Sequence, residues 1–241
     1  MPIDASSPPA IAIDGLTRPI PHRAVSRPAP RRSVRSIVWF DRAKRLFDVT
    51  TAGAALVALA PLFGGVALVL KLTDPGPVFY GHRRVGRGGR SFACLKFRTM
   101  TTNGDEVLEQ LLRNDATARE EWEATRKLRH DPRVTDLGRT LRRTSLDELP
   151  QLLNILRGDM SVVGPRPVVD DELDRYGRSA SAYLSVRPGL TGLWQVSGRS
   201  DTTYHERVML DRHYAARRSM AMDLAIIART IPAVLRSSGS Y

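Results

Sequence analysis

The stretch from Val49 to Leu70 reads VTTAGAALVALAPLFGGVALVL, 22 residues without a charge. As a helix it would extend roughly 33 Å, enough for a bilayer hydrocarbon core of about 30 Å. Two features argue against a plain crossing. Pro61 falls in the middle and Gly64-Gly65 follow it, so a straight helix is interrupted. Both flanks are also basic: Arg42, Lys44 and Arg45 stand before the stretch, and Lys71, His82, Arg83 and Arg84 after it. The positive-inside rule then assigns neither flank to the outside. A helix that breaks at Pro61 and re-enters would keep both flanks on one face. A single span and a buried core helix are the competing readings. A break also frees backbone groups that need partners, such as Thr50, Thr51 or neighbouring protein.

Upstream, residues 1–38 are rich in Pro, Ser, Ala and Arg and carry no apolar period, which reads as a disordered basic tail. Residues 1–45 hold nine Lys/Arg against Asp4, Asp14 and Asp41, a net of +6. No apolar run with a cleavage site opens the chain, so no secretory signal is expected. Basic charge just before an apolar segment suits an anionic lipid surface. The whole chain, 241 residues at net +12, points to polyanionic partners. Aromatics at 6% are sparse for a single-strand stacking platform, so nucleic acid is not the expected partner. The lone Cys94 excludes an intrachain disulfide, and the five histidines are scattered without zinc spacing.

Downstream, Val78–Tyr80 and Ser91–Phe97 read as strands of a hairpin around Gly86-Arg87-Gly88-Gly89. Lys96 and Arg98 are expected on one face, able to meet phosphate or solvent. Residues 103–129 read as solvent-facing helix. Then comes Arg142-Arg143-Thr144-Ser145-Leu146-Asp147-Glu148-Leu149-Pro150-Gln151, which matches the S-x-x-E capping box and predicts a helix start at Ser145. Two adjacent acids there allow two readings. They are first-turn acids with Glu148 as a cap, or one carboxylate is a nucleophile and the other holds a divalent cation against phosphate. Arg166, fixed between Pro165 and Pro167, offers a preorganised guanidinium fork for phosphate oxygens. The loop from Arg187 to Arg199 carries Trp194, which could stack a base or anchor the loop. From Thr202 the pattern is helical, and Met220–Leu235 is a second apolar helix, at a membrane surface or packed, with Asp223 as a candidate cap.

These blocks resemble the bacterial sugar transferases of the monotopic phosphoglycosyl transferase family. The resemblance rests on Lys44-Arg45-Leu46-Phe47-Asp48, Asp74-Pro75-Gly76-Pro77, Leu95–Met100, Ser145–Gln151, Gly158–Pro167 and Arg187–Gly192, in family order over residues 40 to about 236. It implies a helix-rich α+β monotopic membrane protein. Residues 39–72 would be the re-entrant helix and flank, and 73–241 a catalytic domain facing the cytoplasm at the bacterial inner membrane. It implies transfer of a sugar 1-phosphate from a UDP-sugar, with glucose and galactose the leading expectations, to polyprenol phosphate. UMP is released and Mg²⁺ is the cofactor. The family's dyad falls on Asp147, the nucleophile, and Glu148, the metal ligand, with Asp147 beside it at the metal. Its phosphate-binding cations fall on Lys96, Arg142 and Arg166. Trp194 and Arg199 are candidates for the nucleotide, and Asp223 matches a further family acid. Partners implied are the UDP-sugar, polyprenol phosphate and membrane lipid, with a homodimer left open. With a tail where large relatives carry transmembrane helices, the chain resembles the short exopolysaccharide-initiating type. Ala60-Pro61 stands where many relatives have Ser-Pro, which removes a hydroxyl at the break. The rival reading is a membrane-tethered basic binding protein without catalysis.

Overall fold

The break near Pro61 is where the computed structural model, which describes residues 34–125, 127–198 and 202–235, turns its long apolar segment. Helix α1 (Val34–Ala58) opens before residue 38, inside the stretch assigned to the tail; the rest of that tail lies outside the described residues. Helix α2 (Ala60–Thr73) follows at a bend of 61°. Pro61 sits in the first turn of α2, where its missing N–H is harmless; continued into α1, it would remove a ladder bond and press on the Val57 carbonyl. Thr50 does not serve the break: its hydroxyl donates back to Leu46 O and Phe47 O. Among the described residues no single helix is long and apolar enough to cross a membrane.

Both arms of this bent pair dock on one body. Ala52 of α1 is fully buried in the main core with Cys94, Leu152, Ile155, Met160 and Ile226. Val66 and Leu70 of α2 enter a second cluster with Phe97 and Leu141. The apolar stretch is therefore part core helix. Val57 (78% exposed), Leu68 and Leu72 on its other sides remain bare.

Strands β1 (Phe79–Val85) and β2 (Ser91–Phe97) form the antiparallel hairpin, in register from Phe79↔Phe97 to Val85↔Ser91. The first strand is longer than its apolar residues suggest, because Arg83 and Arg84 continue it. Helices α3 (Gly104–Asn114) and α4 (Ala116–Thr125) fill the region read as solvent-facing helix. Helix α5 (Asp136–Arg143) is capped by Thr135, whose hydroxyl accepts the Gly138 N–H. It approaches β2 so closely that a Cβ on Gly138 would lie 2.0 Å from Thr99 O. Helix α6 (Gln151–Arg157) ends at Gly158, whose φ of 96° is the left-handed terminator glycine tolerates.

The parallel pair β3 (Ser161–Val163) and β4 (Gly189–Thr191) is separated by two short helices, α7 (Asp170–Asp174) and α8 (Ala180–Leu184). Helix α9 (Tyr204–Arg217) has a true capping box, Thr203 with Glu206. Helix α10 (Met220–Leu235) starts with Ser219, whose hydroxyl accepts Met222 N–H, so Asp223 is not its cap. Ile226 of α10 is buried while Leu224 and Ile231 are exposed, giving the helix one packed and one bare face.

Candidate functional site

The two carboxylates lie on a single 3-10 turn, Leu146–Glu148, between α5 and α6. The predicted capping box does not form. Ser145 has φ 57°, makes no side-chain cap bond, and the α-helix begins only after Pro150. Pro150 is the reason. In a helix started at Ser145 it would occupy the fifth helical position, where it lacks the N–H owed to Leu146 O and its ring strikes that carbonyl. The chain instead makes a tight turn and starts again. Holding a non-glycine residue in the left-handed region costs about 1 kcal/mol, a strain placed two residues from Asp147.

That turn is pinned against β2. Asn154 of α6, fully buried, accepts Leu95 N–H at 2.9 Å and donates to Ala93 O at 2.8 Å, replacing a missing strand neighbour with a side-chain amide. Lys96, next along β2, thereby reaches between the acids: its Nζ lies 3.2 Å from Asp147 Oδ2 and 2.8 Å from Glu148 Oε1. Asp147 is buried, while Glu148 and Lys96 are partly exposed. Burial pushes the Asp147 carboxyl above the usual aspartate range; the Lys96 ammonium opposes this, Glu148 adds to it, and Arg142 helps lower it. For Lys96, burial favours the neutral amine, but the two carboxylates reverse that and hold the ammonium above its ordinary range.

Arg142 is placed by its Nε bond to Thr99 Oγ1, 2.9 Å, where α5 touches the end of β2. Arg166, on the loop after β3, is exposed. Beneath these groups lies Cys94, its thiol pushed up to about 11 by burial and exposed to the fields of Lys96, Glu148, Arg84 and Arg166. Lys96, Asp147 and Glu148 are thus in direct contact, the field of Arg142 reaches Asp147, and that of Arg166 reaches Cys94 and Arg84, with Cys94 the inert floor. Arg98 does not join it: the side chain is buried and bonds Asp74 O while pairing with Asp74 Oδ2 at 3.5 Å.

Arg84 was missed by sequence reasoning. It lies on the same hairpin face as Lys96, bonds Pro167 O at 3.3 Å and pairs with Glu172 at 3.5 Å. Burial, then the neighbouring Arg166, lowers its guanidinium below the usual arginine range. The signal was the alternation His82–Arg84 in a strand that the apolar count ends at Tyr80. His82, flanked by Arg84 and Lys96, is also held below its ordinary range, first by burial.

Trp194 lies on the turn Trp194–Val196, with the Arg207 guanidinium 4.9 Å from its ring centre. Arg207 pairs with Glu172 at 3.7 Å, which pairs with Arg84, so Trp194 connects to the site only through this relay of charges among the described residues. Arg199 lies outside the described residues. Asp223 is elsewhere. It is fully buried, accepts Lys44 Nζ at 2.7 Å and Tyr214 OH at 2.8 Å, and ties α1, α9 and α10 together. Asp48 completes that knot by accepting Ser161 Oγ and Val162 N–H, both at 3.0 Å.

Among the described residues no group of three or more His, Cys, Asp or Glu side chains converges as a metal site. The adjacent Asp147 and Glu148 do fit Mg²⁺, which takes one or two carboxylates and completes its shell with waters and substrate phosphates.

Comparison with known proteins adds a consistent picture. The family model described as bacterial sugar transferase matches residues 39–237. An exopolysaccharide production protein, ExoY, of Rhizobium meliloti is 59% identical over 199 residues, covering 83% of this chain and 88% of the relative. The undecaprenyl-phosphate galactose phosphotransferase of Salmonella typhimurium is 52% identical over 199 residues, 82% of this chain but 41% of that longer protein. A UDP-glucose:undecaprenyl-phosphate glucose-1-phosphate transferase of Caulobacter vibrioides is 39% identical over 222 residues, 89% of this chain and 75% of the relative. A family match across residues 39–237, with 59% identity to a relative covered over most of both chains, shows that this chain belongs to the bacterial sugar transferase family and is a phosphoglycosyl transferase.

Proposed function

We propose that the protein transfers a sugar 1-phosphate from a UDP-sugar, glucose or galactose, to polyprenol phosphate, and that Asp147 carries the sugar phosphate between the two halves of the reaction. The observation that carries this reading is the buried Asp147 carboxylate, held 3.2 Å from Lys96 Nζ beside a second carboxylate. An Asp147 oxygen attacks the phosphorus bonded to the sugar. The bond from that phosphorus to the bridging oxygen breaks, and UMP leaves with the electron pair. An oxygen of polyprenol phosphate then attacks the same phosphorus and frees the Asp147 carboxylate. Lys96, Arg142, Arg166 and Arg84 offset the charge of the diphosphate and of the incoming phosphate. When bound, Mg²⁺ at Glu148 and Asp147 would screen the diphosphate further. The nucleotide is assigned to the Trp194 side, where Arg207 covers one ring face and a base would have to use the other.

The bent pair α1–α2 is proposed to enter the inner membrane from the cytoplasmic side and return. Its two arms, one on each side of the break, pack on one body, which supports this topology over a span. The first test is UMP release by purified protein with polyprenol phosphate and a panel of UDP-sugars. Turnover with UDP-glucose or UDP-galactose is expected; inertness toward every UDP-sugar would favour the binding-protein reading.

Because no capping box forms, Glu148→Gln costs no cap; it removes a negative charge and leaves an amide oxygen that can still accept from Lys96. The metal role predicts a protein that melts normally, turns over at least roughly a hundredfold more slowly, and responds more weakly across a Mg²⁺ titration. Near-normal turnover at limiting Mg²⁺ would refute it. Lys96 gives a pH test. Asp147 must be ionised to attack, and Lys96 lowers its pKa. Lys96→Met should therefore move the acid limb of kcat/KM to higher pH, besides weakening substrate binding. An unmoved limb would mean that Asp147 is not the titrating group.

A further inference from the structure

The geometry points to a second phosphate site, remote from Asp147, that holds the headgroup of an anionic phospholipid in a cleft where α1 leaves the hairpin. The proposal rests on the membrane-entry reading above. The cleft is shallow and widely open, with a volume of about 580 Å³. Arg42 and Arg45 of α1, Arg87 of the hairpin loop and Arg187 of the loop before β4 line it, against one carboxylate, Asp41. That carboxylate is already shared: it accepts from Arg87 at 3.3 Å and from Arg218 at 3.0 Å. The remaining walls, Leu46 and Val49, are apolar.

Most of these arginines have a structural bond, yet their charges are left over. Arg45 donates to Ile155 O and Leu156 O at the end of α6, and Arg187 Nε donates to Gly158 O at 2.8 Å. These are neutral carbonyls, which satisfy donors without neutralising charge. Burial, then Arg87 and Arg45, depress the Arg187 guanidinium below its usual range; Asp48 and Asp41 offset only part of this. Arg42 is exposed and makes no hydrogen bond or ion pair among the described residues. Such crowding of planar forks, only partly relieved by Asp41 and Asp48, is what a phosphate would relieve further.

The occupant is set by what adjoins the cleft. Trp39 (76% exposed), Leu46 (67%) and Val57 (78%) recur along α1 at spacings of whole helical turns, so one bare apolar stripe runs from the cleft toward the break. A phosphate here would have acyl chains beside it on that stripe, with Trp39 at the headgroup level. A free phosphate would leave the apolar walls uncovered.

The test is flotation of the full chain with vesicles of phosphatidylcholine alone and of phosphatidylcholine containing phosphatidylglycerol, with three proteins. Wild type should float with both and bind the phosphatidylglycerol vesicles roughly tenfold more tightly or better. Arg42→Gln/Arg87→Gln should lose most of that preference. Arg42→Lys/Arg87→Lys keeps every charge but removes two planar forks, so a built site predicts a several-fold loss where diffuse attraction predicts none. Inorganic phosphate at millimolar concentration should not abolish the preference; if it does, the occupant is free phosphate and the lipid assignment fails. Equal binding to both vesicles, or a preference unchanged in the lysine variant, overturns the site while leaving membrane entry intact. Failure to float with either vesicle overturns membrane entry and the site with it. Repeating the wild-type measurement in Asp147→Asn should give the same preference, which separates this site from the catalytic one; loss of the preference there would merge the two and refute a second site.

Discussion

Asp147→Asn should abolish turnover, by roughly a thousandfold or more, while leaving the protein at least as stable as wild type at neutral pH. The rate loss follows because an amide is not a nucleophile and no other described group replaces the buried carboxylate. The stability follows from the raised pKa, whose main cause is burial. A group whose folded pKa lies above its unfolded value gives its stabilising contribution below the unfolded pKa and loses it as pH rises through the folded one. At neutral pH the ionised Asp147 therefore costs stability, and asparagine removes that cost. The advantage of Asp147→Asn should vanish on acidification below the ordinary aspartate range, where both proteins are neutral at this position. Thermal melts of the two proteins from about pH 3, just below that range, to about pH 8 measure this directly. A variant that melts well below wild type at pH 7 would identify Asp147 as a structural ion-pair partner of Lys96 rather than a group held ready for chemistry.

The largest loss of stability is expected from Lys44→Met. Lys44 is the cation of a buried knot, 2.7 Å from Asp223 and 3.8 Å from Asp48, both acids essentially inaccessible to water. Removing it leaves two buried carboxylates without a counter-ion, a change worth about 3–5 kcal/mol. In a domain of this size that corresponds to a fall of roughly 6–20 °C in Tm. The variant should recover partly as pH falls, because burial already holds the Asp223 carboxyl above its usual range and loss of Lys44, which opposes that, raises it further. Pairing the change with Asp223→Asn should restore part of the loss at pH 7, since the amide keeps the Tyr214 hydrogen bond without a charge. Full additivity of the two single losses would contradict a direct pair.

Some of this was legible in the chain and some was not. The hairpin was readable because glycines punctuate two β-rich runs, and the helix break because proline has one structural consequence mid-helix. That Asp147, Glu148 and Lys96 meet was expected only through the resemblance, because residue spacing alone left those positions ambiguous. The capping box failed because the S-x-x-E pattern was weighed without Pro150, which forbids the helix that the box would open. Arg84 escaped because its strand was cut at the last apolar residue. Asn154 read as helix body, although its amide locks the dyad turn to β2. Asp223 lies 179 residues from its cation, Lys44, and no local pattern predicts a pairing that only the packing of α1 on α10 creates.

A covalent bond between Asp147 and the sugar phosphate, as proposed above, can be trapped in a single experiment. Purified protein is mixed with UDP-glucose or UDP-galactose and Mg²⁺ in the absence of any polyprenol phosphate, quenched within a turnover, and examined by intact-protein and peptide mass spectrometry alongside UMP release. About one UMP per active enzyme is expected, with a sugar-phosphate adduct on the peptide containing Asp147 that is absent in Asp147→Asn. UMP that forms only when polyprenol phosphate is present, with no adduct at any quench time, would contradict it and establish direct transfer.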